Sequence, residues 1–197
     1  MTLSGLKMKK EELYSIDIHI HRFAAWAASR AVMSGMRKKG MRFDVPTGTS
    51  LLEKSGVTGL VIGQKALPDP KRFDKVHREW RKIIIDEAKI LDFSDGLAAK
   101  LINCYLKAAL ICPHTAQNPK IKAIHPPVDR ILLENLINDS KLKFGVNRGI
   151  GKKVPAWSKL GSDDYENIME AIKEVLEYDV KSPRKGLWEI EKWWKIE

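Results

Sequence analysis

The chain has 197 residues, 44% of them hydrophobic and 30% charged, with 35 Lys+Arg against 25 Asp+Glu and a formal net charge of +10. This length and composition suit one folded domain with a sizeable core. No apolar run is long enough to span a membrane, and the only two cysteines, eight residues apart on one predicted helix, are too far apart for a disulfide within it. The basic excess favours polyanionic partners, nucleic acid first; lysine enrichment for solubility or heat tolerance is the other source of such an excess.

Met1–Lys7 lacks the apolar centre of a signal peptide, so the cytoplasm is the expected compartment. Ile16, Ile18 and Ile20 alternate with Asp17, His19 and His21 as a strand does. They run on into the alanine-rich stretch Arg22–Ala31, whose propensity is helical. One helix from about Ile16 to Met36, with a small alanine face for close packing, absorbs both. His19 and His21 repeat the His-x-His of a metal-binding strand. On a helix, residues two apart do not face one another, and His77, His114 and His125 add no metal spacing. No metal and no cofactor is expected.

Pro46-Thr47-Gly48-Thr49 precedes a short helix at about Ser50–Lys54, and Pro68 and Pro70 mark a loop. Asp74–Leu91 is an amphipathic helix with Val76, Trp80, Ile83, Ile84, Ala88 and Leu91 on its apolar face. Leu97–Cys112 is another, with Leu97, Leu101, Cys104, Tyr105, Ala108 and Cys112 on one side and Lys100, Asn103 and Lys107 on a different one. Cys104 and Cys112 read as small buried residues in a reducing compartment. Pro113 ends that helix, and residues 113–124 form a polar loop. Pro126-Pro127 opens a helix from Val128 to about Ile137, which places Asp129 in its first turn. Ser162 caps a helix to about Glu177, with Asp163 and Asp164 set against its dipole. A last short helix spans about Gly186–Trp194. The expectation is an all-α fold of about seven helices in one domain over residues 1–197.

Two C-terminal features have plain structural readings. The basic glycine-bearing loop Phe144–Lys153 can cradle a phosphate on backbone N–H groups, but it lacks Walker spacing and reads as a solvated loop. Trp157, Trp188, Trp193 and Trp194 can stack on bases, though such aromatics more often pack helices together.

The stretch from Phe93 to Arg130 is more specific. Two amphipathic helices, about 74–112, joined by the turn Phe93-Ser94-Asp95-Gly96, form a helix-hairpin-helix candidate. Such a turn can present N–H groups to a DNA phosphate. Taken singly, Lys100 is a solvated helix lysine and Asp129 a charge that stabilises its own helix.

In register, Ser94-Asp95-Gly96-Leu97-Ala98-Ala99-Lys100-Leu101-Ile102-Asn103-Cys104 resembles the hairpin of the helix-hairpin-helix DNA glycosylases, especially the 8-oxoguanine branch. That hairpin runs roughly Leu-Pro-Gly-Val-Gly-Thr-Lys-Val-Ala-Asp-Cys. Asp95 stands where the family has proline, and Ala98 where it has its second glycine. The family's Pro-Val-Asp is matched by Pro127-Val128-Asp129. The resemblance implies that Lys100 is the nucleophile and Asp129 the catalytic carboxylate, acting on a damaged purine flipped out of duplex DNA. Gly96, Lys107 and Arg130 are then expected at DNA phosphates. The competing expectation is a non-catalytic all-α DNA-binding or interaction protein. Borohydride trapping on lesion-containing duplex separates the two, and the glycosylase reading fails if Lys100 and Asp129 face different sides of the fold.

Overall fold

A computed structural model describes residues 14–38, 40–63, 65–113, 119–142, 144, 145, 150, 156–179 and 186–195. Among these residues the fold is all-α. Its helices are α1 (Ile16–Lys38), α2 (Val45–Ser55), α3 (Phe73–Glu87), α4 (Asp95–Leu106), α5 (Arg130–Asn138) and α6 (Ser162–Tyr178), followed by a 3-10 helix at Leu187–Trp193. No helix among the described residues is long and apolar enough to cross a membrane.

Helix α1 takes in the alternating Ile16–His21 segment, as the alanine-rich sequence predicts. Ala24, Ala25, Ala28, Val32 and Met36 are buried in one line, on the face that packs against α4. Helix α2 begins five residues earlier than the sequence implied. Asp44 caps it, its carboxylate accepting from the Thr47 N–H at 2.9 Å, and Pro46 sits in the first turn, where its missing N–H costs nothing. Gly48 is held against α1: a Cβ there would lie 2.1 Å from Ser29 Oγ.

Helix α3 stops at Glu87, and the chain turns through a short 3-10 segment, Lys89–Leu91, into Asp92 at φ 49°. Its buried face is Phe73, His77, Trp80, Arg81 and Ile84, whereas Ile83 is exposed. The expected stripe is thus rotated to bring a histidine and an arginine inward. Ser94 caps α4, accepting the Leu97 N–H at 3.2 Å. Beyond Leu106 the helix widens into a π turn over Lys107–Ile111. That shift of register leaves Cys112 exposed, and Cys104, before it in α4, is only partly buried, a correction to the expectation that both are interior.

Two apolar clusters make up the core. The first joins α1, α2 and α3 to Leu97, Leu101, Ile102 and Tyr105 of α4. The second joins α5 and α6 to Ala99 of α4 and to Ile190. Helix α4 therefore lies between them, and Trp157 packs against both.

The α3–α4 tip is covered by residues 156–161. The Gly96 N–H donates to the Leu160 carbonyl at 3.1 Å, and Ser94 Oγ donates to the Ser158 carbonyl at 2.9 Å. A Cβ on Gly96 would lie 1.8 Å from the Trp157 carbonyl oxygen. Backbone cannot yield there without moving the whole segment. Gly96→Ala should therefore cost about 1–3 kcal/mol or more, the range for overpacking a filled site. A denaturant melt checks this, and an unchanged midpoint would contradict the covered tip.

Candidate active site around Lys100 and Asp129

Lys100 and Asp129 come together. Lys100 Nζ stands 3.5 Å from Asp129 Oδ2, with the two side chains 11% and 18% exposed. The pair is largely shielded yet open at one side. Lys100 is in the second turn of α4, which starts at Asp95. Asp129 is the cap of α5 and lies just outside the helix rather than in its first turn. Its Oδ1 accepts the Leu132 N–H at 3.0 Å. Residues 125–129 form a strap outside any helix, so the helix expected from Val128 begins at Arg130.

Two tryptophans frame the pair. Lys100 Nζ lies 4.2 Å from the ring centroid of Trp157. The Trp194 indole N–H reaches both Asp129 oxygens, at 3.2 and 3.1 Å, and Trp194 remains 41% exposed. The sequence pointed to neither at this position. The only signal was the tryptophan concentration near the C-terminus, which equally describes Trp193 packed in the second cluster.

Beyond Lys100 on α4, Lys107 pairs with Glu191 of the last 3-10 helix. Burial pushes the Glu191 carboxyl up, against the Lys107 ammonium that holds it down. The Cys104 thiol lies in the field of Lys100, Lys107, Glu191 and Asp129, and burial pushes it up to about 11. It is an inert thiol rather than a nucleophile. Arg130 is outward, 70% exposed, and shares Glu134 at 2.9 Å one turn along α5. Gly96 stands apart from these residues. It is buried and its N–H is taken by Leu160, so it does not offer that N–H to a phosphate. The basic loop at 144–153 lies mostly outside the described residues, as does His114.

A buried polar network lies behind the pair, and no spacing in the chain announces it. His77 Nε2 is 2.8 Å from Asn103 Oδ1. Asn103 Nδ2 donates to the Pro126 carbonyl at 2.8 Å and to Tyr165 Oη at 3.0 Å. His125 Nδ1 is 3.0 Å from Tyr165 Oη, and its Nε2 is 2.9 Å from Asp74 Oδ1. Lys173 then donates to Asp74 Oδ2 at 2.7 Å. Burial holds His77 well below the ordinary imidazole range, and the neighbouring His125 adds to this. Burial likewise lowers His125, against the Asp74 carboxylate. The hydrogen bond from His125 in turn holds the Asp74 carboxyl well below the carboxylate range. His19 and His21 diverge on α1: His19 is exposed beside Tyr14, and His21 is buried with Nδ1 3.0 Å from Tyr105 Oη. Among the described residues no group of three His, Cys, Asp or Glu could hold a metal ion.

The lowered His77 and His125 set the sign of the pH dependence. Their folded values lie below the unfolded value of about 6.5, so the unfolded chain binds more protons as pH falls beneath it. Their contribution to stability is complete above that value and is lost on acidification; the Asp74 contribution is lost only below about pH 4. Thermal melts should be flat above about pH 7 and fall steadily below about 6.5. His77→Phe should melt lower at neutral pH, because it leaves Asn103 Oδ1 without its donor, and should show a shallower acid slope. An unchanged slope would remove His77 from this account.

Comparison of the chain with protein-family models, with curated proteins and with solved structures returns no match.

Proposed function

We propose that this protein is a DNA glycosylase with lyase activity, acting on a damaged purine flipped out of the duplex. The observation that carries the reading is the 3.5 Å approach of the Lys100 amine to the Asp129 carboxylate across separate elements. Residues this far apart in sequence have many ways of missing one another, and helix caps and helix lysines seldom need a partly buried partner.

The chemistry follows from the pair. As the bond between base and sugar breaks, the base takes the bonding electrons and positive charge develops at C1′. Asp129 offers a fixed carboxylate to that charge, held in orientation by the Leu132 and Trp194 N–H groups. Lys100 passes an ammonium proton to the departing base, and the nitrogen lone pair so freed adds to C1′. Transfer of a second nitrogen proton to O4′ opens the sugar ring and leaves a protonated Schiff base between Lys100 Nζ and C1′. Trp157 and the partly exposed Trp194 offer aromatic faces beside the pair, which suits an unstacked base. Arg130, outward on the first residue of α5, is placed for a phosphate contact, and the +10 formal charge favours association with DNA.

Borohydride trapping on duplex carrying an oxidised purine tests the reading. The wild-type chain should form a covalent adduct, Lys100→Gln should form none, and Asp129→Asn should trap about 10²–10³-fold more slowly, the usual loss for one electrostatic stabiliser. Arg130→Ala should leave trapping at saturating DNA intact and reduce the salt slope of binding by about one. Salt-sensitive binding without any adduct would instead mark a non-catalytic DNA-binding protein.

A further inference from the structure

Asn103 lies three residues beyond Lys100 on α4 and is wholly buried. Chemistry fixes the direction of its amide. The Pro126 carbonyl can only accept, so the atom 2.8 Å from it is the NH2 group. Asn103 Oδ1 then accepts, so His77 carries its proton on Nε2. The second amide hydrogen goes to Tyr165 Oη, the tyrosine hydrogen to His125 Nδ1, and the His125 Nε2–H to Asp74. Every donor in this chain has an acceptor, with both imidazoles neutral. The one atom left without a partner, His77 Nδ1, is then an acceptor lone pair, the cheaper kind of orphan.

We propose that Asn103 is a positioning residue, which sets the distance between Lys100 and Asp129 by tying the strap that carries the carboxylate to the helix that carries the amine. The inference deepens the glycosylase reading and rests on it for its catalytic consequence. Pro126 begins the last four residues of the strap, and the following Pro127 restricts φ, so anchoring the Pro126 carbonyl leaves little freedom before Asp129. The anchor and the nucleophile share one rigid, buried helix. Their spacing is therefore fixed by α4 itself and not by a loop. A purely structural role for Asn103, as a satisfied buried polar group, predicts lost stability alone.

Two variants separate these roles. Asn103→Leu removes the Pro126 anchor. Tyr165→Phe disrupts the same network and lowers stability but keeps the anchor. The readouts are the Lys100–Asp129 separation in crystal structures of both variants, the single-turnover borohydride-trapping rate, and duplex affinity. Asn103→Leu should widen the separation by about 1 Å and slow trapping about 10²-fold, the usual cost of such a misplacement, with duplex affinity little changed. Tyr165→Phe should keep both the separation and the trapping rate. If Asn103→Leu does not fold, Asn103→Ala makes the same cut with less bulk. An unchanged separation in the Asn103 variant overturns the proposal. So does a rate loss that the two variants share in proportion to their melting points. If the wild-type chain traps no DNA, the glycosylase reading fails by itself, and the crystallographic separation still decides the role of Asn103.

Discussion

The burial of α4 between two apolar clusters is the constraint on which the rest of the molecule depends. A helix enclosed on almost every side must satisfy any polar side chain it carries inward. On α4 that demand falls chiefly on Asn103, whose amide makes three hydrogen bonds to α3, the strap and α6. The same helix leaves one narrow face partly open, and Lys100, Cys104 and Lys107 lie along it. The interior bonds of α4 thus hold three other elements in place, and its open face presents the amine. Asp129 joins both functions. Oδ1 caps α5 and Oδ2 faces Lys100, so the backbone requirement of one helix sets the aim of a side chain toward another.

The covered α3–α4 tip has a parallel consequence. Gly35 on α1 and Gly96 on α4 both lie against Trp157: a Cβ on the first would lie 2.9 Å from its ring, and one on the second 1.8 Å from its carbonyl oxygen. Two glycines on neighbouring helices form one slot, and filling it brings the indole beneath Lys100. The Gly96 N–H is used to hold that segment instead of an external phosphate. The α3–α4 tip and the segment over it therefore support the pair.

The helices were legible where one apolar face decides them. The α1 alanine stripe, the amphipathic α3 and the acidic first turn of α6 follow from spacing and propensity alone. The limits of α2 were not, because Pro46 and Gly48 read as breakers unless Asp44 is seen to cap and Ser29 to press from α1. The buried face of α3 was misjudged at Ile83 because His77 and Arg81 count as polar. Yet Arg81 is interior, bound to Glu166 at 2.8 Å and stacked 4.5 Å from the Tyr165 ring, with partners far away in sequence. The pairing of Lys100 with Asp129 was legible only as a geometric possibility. What realises it, the Asn103–Pro126 bond and the Trp194 indole, depends on tertiary contacts that leave no periodic trace.

The charge around the pair bears on how the protein would meet DNA in the proposed reaction. Lys100 and Lys107 are opposed by Asp129 and Glu191, so these four groups cancel and the whole formal excess of +10 resides elsewhere in the chain. Long-range attraction to a polyanion then comes from dispersed surface cations such as Arg130, and salt screens it. The shielded pairs feel salt far less. On the proposed reading, association and bond-breaking then fall to different residues. On that reading, a pair of balanced charge also holds no tightly bound phosphate that a neutral base would first have to displace.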